Sequence, residues 1–332
     1  MHGGGDGLPG ITLDRYGAHL VLGVAAEIDE RLREAALDAA HALGADGVYL
    51  KVRPRVASTL VDTRRDEVAP KAASRGDSAP EAFTAREGEL RLEIRLGDGL
   101  STGVFLDQRD NRERVRELSQ GARVLNLFAY TGAFTVAAIV GGARASVTVD
   151  AAGPATDAAI RNVAAARAQV GADDPAAHAV VKADAFDWLR RAAAKSERFD
   201  VIVLDPPSFA TTKKSRFRAA SDFADLAAQC LAVLAPGGTL VACTNHRGLS
   251  TARFRRDLHE ACRLASREST KVRDAAPPSD FPPEPGDEPH LKTVLLTVSH
   301  ETGTPRPAPR PQASAAPRGA QPPARPTKKG RS

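Results

Sequence analysis

The chain has 332 residues, 42% of them hydrophobic and 26% charged, and a formal net charge of +5. That length is enough for two domains and a sizeable core, and no apolar run approaches the length of a membrane-spanning helix, so the expectation is a soluble protein with no membrane partner. Cys230, Cys243 and Cys262 show neither paired nor metal-like spacing, which argues against a disulfide framework and a zinc cluster and leaves no metal expected. The start, MHGGGDGLPG, lacks the charged and apolar regions of a signal peptide, so cytoplasmic residence is expected. Much of the basic excess is local: after Glu301 come Arg306, Arg310, Arg318, Arg325, Lys328, Lys329 and Arg331, so whole-chain charge says little about a nucleic-acid partner.

In chain order, residues 1–100 predict a small α+β domain. Ile11–Arg15 and His19–Val24 suit a hairpin turning at Tyr16-Gly17-Ala18. Between Ala26 and Leu43, residues Ile28, Leu32, Ala35, Ala36, Ala39 and Leu43 repeat at helical spacing. Gly47–Val52 and the alternating Leu90–Leu96 suit strands, and the charged, Ala/Ser/Pro-rich stretch 64–80 suits a mobile loop. Gly97-Asp98-Gly99 marks a boundary.

Residues 101–300 alternate strand and helix, and predict a second domain. Strands are expected at Val124–Phe128, Ser146–Val149, Ala179–Lys182, Val201–Leu204, Gly238–Thr244 and Thr293–Ser299, with helices such as Ala155–Gln169 and Phe223–Leu234 between. That succession defines an α/β fold with a doubly wound, Rossmann-like, mainly parallel sheet. Residues 301–332 are rich in Pro, Ala and Arg without periodicity, and predict a disordered basic tail.

Within this pattern, VLNLFAYTGAF (124–134) runs from a strand through a tight turn at Gly132 into a helix, whose start offers free backbone donors. A pyrophosphate needs close approach to a glycine-rich backbone; a loop with one glycine beside Phe128, Tyr130 and Phe134 suits a ligand without phosphates, which points to S-adenosylmethionine rather than a dinucleotide. Asp150, Asp184 and Asp205 follow three successive strands, suited to ribose hydroxyls, an adenine amino group and the reacting end of the site. An ordinary helix N-cap accounts for any one of them taken alone. FDVIVLDPPSF (199–209) ends a fully apolar strand with an acid, two rigid prolines that leave carbonyl acceptors free, and a flat ring at Phe209. Such a set can hold a base, although a plain proline turn would also produce it.

TGVFLDQRDNR (102–112), NLFAYTGAF (126–134) and LDPPSF (204–209), in this order, resemble the S-adenosylmethionine-dependent large-subunit ribosomal RNA methyltransferases. The likeness is to the types that make 5-methylcytosine (type I) and 7-methylguanosine (type K), and GDGLPGITLDRYG (5–17) is similar to the small domain of type I. The resemblance spans roughly residues 5–299 and implies S-adenosyl-L-methionine as cofactor and 23S rRNA or its precursor as partner. It implies a cofactor site of Asn126, Phe128, Tyr130, Thr131, Gly132, Asp150, Asp184 and Asp205, closed by the segment Phe105–Arg109 with Gln108 and Arg109. It also implies a target-base site of Asp205, Pro206, Phe209 and Asn245. Type I relatives begin with a further RNA-binding domain for which there is no room before Gly5, so RNA would be held by the small domain, the cleft rim and the tail.

The target atom is where the chain departs from type I. Carbon 5 of cytosine is a poor nucleophile, and its methylation needs a cysteine that adds to the ring. The type I cysteine aligns with Asn245 here, and Cys243, on the preceding strand, suits a buried small hydrophobe. CTNHRGL (243–249) instead resembles a type K stretch. Guanine N7 has an exposed lone pair and needs only alignment with the methyl donor, so guanine N7 is expected and cytosine C5 is the alternative. His246 suits the cleft lining better than a general base. Lys213, Lys214, Arg216, Phe217 and Arg218 suit either a basic rim or a solvated loop, Ser279–Pro282 resembles a family loop near the site, and Trp188 suits core packing. Two readings from other classes stand beside this one: a nicotinamide-dependent oxidoreductase, disfavoured by the missing glycine-rich fingerprint, and a non-catalytic RNA-binding protein that kept the fold.

Overall fold

The computed structural model describes residues 1–53, 65–211 and 216–301, with the backbone alone for 209–211, 216–220, 300 and 301. The expectations for the tail beyond Glu301 and for Lys213 and Lys214 lie outside these residues, as do those for the side chains of Phe209, Arg216, Phe217 and Arg218.

The chain opens with a four-stranded sheet: β1 (Ile11–Tyr16), β2 (His19–Ala25), β3 (Gly47–Arg53) and the short β4 (Arg75–Gly76). β1 and β2 form the expected hairpin, paired Tyr16 to His19 across Gly17, whose φ of 61° suits glycine. Helix α1 (Glu30–His41), capped by Asp29, crosses over to the parallel strand β3. Its period is as expected but its phase is not. Leu37 and Ala40 are buried, whereas Leu32 and Leu43 are 46% and 60% exposed. The buried stripe runs through Leu37 and Ala40 with Ala36 partly buried beside it, which leaves Leu32 and Leu43 on one side of it and Glu34 and Asp38, paired with Arg75, on the other. The described part of the expected mobile loop is tied down: Ser74 N–H donates to Val48 O, Val52 N–H to Val68 O, and Ala69 is buried.

A hairpin, β5 (Phe83–Glu87) and β6 (Leu90–Ile94), then leads to α2 (Arg109–Leu118). Leu90, Leu92 and Ile94 share one apolar cluster with Tyr16 and Tyr49 of the small sheet and with Val136, Ile139 and Val163 of the larger layer. A continuous core therefore runs across the sequence boundary near Gly97.

The large sheet has seven strands in the order β14-β15-β13-β10-β7-β8-β9. They are β7 (Arg123–Leu127), β8 (Ala145–Asp150), β9 (His178–Lys182), β10 (Phe199–Leu204), β13 (Leu234–Thr244), β14 (Arg267–Ala275) and β15 (Lys292–Glu301). A small ribbon of β11 (Phe209–Thr211) and β12 (Arg216–Arg218) follows β10. The five strands from β9 to β13 are parallel; β15 and β14 add antiparallel at one edge. Helices α3 (Ala133–Val140), α4 (Gly153–Val170), α5 (Ala185–Ala194), α6 (Ala219–Val233) and α7 (Thr251–Leu264) connect or cover them. Val201–Leu204 is buried on both faces, as a central parallel strand requires, and Trp188 packs on Phe199 within the core. β14 was not expected: RESTKVRDA is charged because it is an edge strand with solvent alongside.

Candidate active site

From β7 the chain winds outward through β8 and β9, then returns to β7's other side as β10. Where winding reverses, the loops at the carboxyl ends part and leave a crevice. That crevice is a cleft of about 430 Å³ between the ends of β7, β8, β9 and β10 and the segment 103–112.

The loop after β7 is built on strained backbone: Phe128 (φ 54°) and Tyr130 (φ 50°) are left-handed although neither is glycine. Such residues cost on the order of 1–3 kcal/mol each, and the surroundings must hold them. Tyr130 N–H donates to Asp150 Oδ2 at 2.8 Å, Thr131 Oγ1 donates to Gly103 O at 2.6 Å, and Asn162 Nδ2 donates to Thr131 O at 2.9 Å. The result turns Phe128, Tyr130 and Thr131 to the cleft. Gly132, at φ 79°, does not line it; a Cβ there would lie 3.2 Å from that of Ala159, so the glycine serves the turn and the packing of α4. Asn126 does not reach the cleft either, being buried in β7 with Nδ2 donating to Thr135 Oγ1 at 3.0 Å.

Asp150 and Asp184 both line the cleft. Asp150 accepts from two backbone N–H groups, those of Tyr130 and Ala152, each at 2.8 Å. Asp184 caps α5, its Oδ1 accepting from Phe186 and Asp187 N–H. The N-cap alternative thus holds for Asp184, and the cap also faces the cleft. Phe186 stands edge-on to Phe128 with ring centroids 6.4 Å apart.

The opposite wall carries Asp205, Pro206, Pro207, Asn245 and the segment 103–112. Gln108, 4% exposed, donates through Nε2 to Asp205 Oδ2 at 2.8 Å. Burial, with Asp107 nearby, pushes the Asp205 carboxyl up to about 7, against the pull of the Gln108 hydrogen bond and the Arg112 charge. Asp107 in turn meets His290 Nε2 at 2.9 Å. Phe105 leans on Tyr130, ring centroids 5.4 Å apart, and closes this side. Arg109 does not: its guanidinium forms a bidentate pair with Asp280, outside the cleft lining. Asn245 is exposed at the rim, where its Oδ1 accepts from Ser208 Oγ at 3.0 Å. His246 is half-buried and is not among the lining residues. Cys243, in contrast, is 0% exposed, and burial pushes its thiol well up from the ordinary range.

Asp107, Phe186 and Arg112 were not singled out from the sequence. Arg112 is buried, pairs with Glu87 through Nε and Nη2 at 2.6 and 2.5 Å, and donates through Nη1 to Phe105 O at 2.8 Å. A signal was available: Asn111 and Arg112 sit on the same stripe of α2 as buried Val115, and polar residues on a buried stripe need partners.

A Rossmann-like sheet with an aromatic, acid-edged cleft at its switch point defines a nucleoside-binding enzyme, and the single-glycine loop offers no cradle for a pyrophosphate. A family described as S-adenosylmethionine-dependent methyltransferase matches residues 60–295, and the chain belongs to that family. Within it, a Deinococcus radiodurans protein named ribosomal RNA large subunit methyltransferase is 33% identical over 300 residues, covering 90% of this chain and 71% of its own. An Erwinia tasmaniensis protein named ribosomal RNA large subunit methyltransferase I is 32% identical over 285 residues, 84% of this chain and 68% of its own. Among solved structures, that of SMU.776 complexed with SAH superposes with a TM-score of 0.75 at 30% identity, covering 90% of this chain and 74% of that one. The cofactor is S-adenosylmethionine, and the residues fit it: aromatic faces at Phe128 and Phe186, acids at the strand ends, and no phosphate cradle.

Proposed function

We propose that the protein methylates a base of large-subunit ribosomal RNA, and that the target atom is guanine N7, reached without a covalent bond between enzyme and base. The observation carrying this reading is the contrast between Asn245, exposed at the cleft, and Cys243, sealed in the core one strand repeat behind it. Addition to a cytosine ring needs a thiolate at the base, and a thiol pushed up by burial is neither ionised nor within reach. The relatives named as large-subunit ribosomal RNA methyltransferases support the substrate class.

S-adenosylmethionine, when bound, supplies an electrophilic methyl group on a sulfonium. Asp150 and Asp184 orient its nucleoside end, and Phe128 and Phe186 flank it. Pro206 walls the base, and Asn245, its carbonyl taken by Ser208, turns its N–H₂ to the guanine O6 edge. N7 carries no proton, so alignment supplies the acceleration.

Mass spectrometry of nucleosides from ribosomal RNA incubated with the protein and S-adenosylmethionine tests the reading. The expected product is 7-methylguanosine, formed equally by wild type and Cys243→Ala. Formation of 5-methylcytosine, abolished by Cys243→Ala, would return the cytosine alternative that the type I resemblance favours.

A further inference from the structure

Asp205 is joined to the described residues by one hydrogen bond, from Gln108 Nε2 to its Oδ2, so its second oxygen is left to the cleft it lines. What stands behind Gln108 decides the character of that bond. Arg114 donates through Nη1 to Asn111 Oδ1 at 2.8 Å. Asn111 Nδ2 then donates to Gln108 Oε1 at 2.6 Å, and to Thr293 Oγ1 at 2.8 Å. A single amide side chain can satisfy its neighbours either way round, but a guanidinium can only donate. Two amides in series behind it are therefore fixed: the Asn111 carbonyl faces Arg114, the Gln108 carbonyl faces Asn111, and the Gln108 N–H₂ faces Asp205. Asn111 is 1% exposed and Gln108 4%, so water does not compete along the row.

We infer that Arg114 and Asn111 are positioning residues for methyl transfer, a relay that holds Gln108 as a donor and so holds Asp205 as an acceptor at Oδ2 with Oδ1 presented to the substrate. The inference rests on the proposed function as a base methyltransferase, with Asp205 in the target-base site that the family resemblance implies. The relay acts where it has leverage. Besides Gln108, Asp205 faces Asp107 (bonded to His290), Arg112 (paired with Glu87) and the Cys243 thiol behind it, and shares the cleft with Asp150 and Asp184. Burial and Asp107 favour its neutral form, while the Gln108 bond and Arg112 favour the charged one.

Reversing the relay is a simple substitution. In Asn111→Asp the carboxylate only accepts, so it takes bonds from both Arg114 and the Gln108 N–H₂; Gln108 turns its carbonyl to Asp205, which must then hold a proton. Arg114→Glu does the same from the half-exposed end and keeps the test open should Asn111→Asp not fold. The experiment measures single-turnover methyl transfer to ribosomal RNA against pH with the full chain and saturating S-adenosylmethionine. In parallel, the Asp205 carboxyl is titrated by ¹³C NMR, its resonance identified with Asp205→Asn. With a net hydrogen bond worth about 1 kcal/mol, both reversing variants should raise the Asp205 midpoint by about one pH unit. The matching limb of the rate profile should move with it. Arg114→Lys, still a donor, should overlay the wild type, as should Arg116→Glu, the same charge change elsewhere on α2. A loss of rate at every pH with the midpoint unmoved would reduce Asn111 and Arg114 to structural roles and overturn the inference; so would an equal shift from Arg116→Glu. A moved midpoint without any response of the rate would uphold the relay and overturn instead the placing of Asp205 at the substrate.

Discussion

Asp150 and Asp184 on one wall of the cleft, and Asp205 on the other, follow successive strands of one sheet yet live in different chemistry. The first two accept hydrogen bonds from backbone N–H groups, of which the Ala152, Phe186 and Asp187 donors lie two or three residues along the chain. Among the described residues, Asp205 accepts only from a side-chain amide 97 positions away, and it is pushed up to about 7. Acids that bind the backbone stay put and serve to orient a ligand; an acid held by a tunable side chain at the junction of burial and like charge is placed to respond to what binds.

Replacing each acid in turn puts that contrast at risk. Asp205→Asn should have the largest effect, lowering single-turnover methyl transfer by about 10²–10³-fold through loss of a preorganised charged group at the base. Affinity for S-adenosylhomocysteine, measured by calorimetry, should change little. A parallel loss of cofactor affinity would move Asp205 to the cofactor's side and dissolve the distinction between the walls. The same variant carries a stability signature. Because the folded carboxyl is raised from 3.8 to about 7, its contribution is fully present below about pH 4 and is lost as pH rises to about 7. Thermal unfolding should therefore show Asp205→Asn gaining on wild type between pH 4 and 8, with no such divergence for Asp150→Ala.

Asp150→Ala should act on binding. It removes two charge-assisted backbone bonds and the support of Tyr130's strained φ, so affinity for S-adenosylhomocysteine should fall by about 10–100-fold. The rate at saturating cofactor should stay closer to wild type. Asp184→Ala should be smallest in function and show mainly as stability, about 1 kcal/mol for a lost N-cap, visible as a lower Tm. If it instead matched Asp150→Ala in cofactor affinity with Tm unchanged, Asp184 would be a ligand first and a cap second.

Much of this protein was legible in its residues. The apolar runs of β7, β10 and β13 announced buried parallel strands, and acids at strand ends announced a ligand edge. Misplacements share one cause: what a residue faces across space. Asn126 and Gly132 belong to a motif that forms the site but are spent on the sheet and on α4. Arg109 sits in the right segment yet is turned away by Asp280, 171 positions distant. The phase of α1 was set by which of its residues meet the small sheet, Leu37 and Ala40 rather than Leu32 and Leu43, and β14 was hidden because an edge strand need not be apolar.

By itself the sequence determined the alternation of strands and helices and the single-glycine loop that suits a sulfonium nucleoside over a dinucleotide. These are local matters of periodicity, turn chemistry and residue type. Only the tertiary structure decided which side chains share the cleft, that Cys243 is sealed off from it, and that Arg114, Asn111 and Gln108 stand in a row behind Asp205. Hydrogen-bond direction and desolvation depend on groups brought together from distant parts of the chain, and no local pattern carries them.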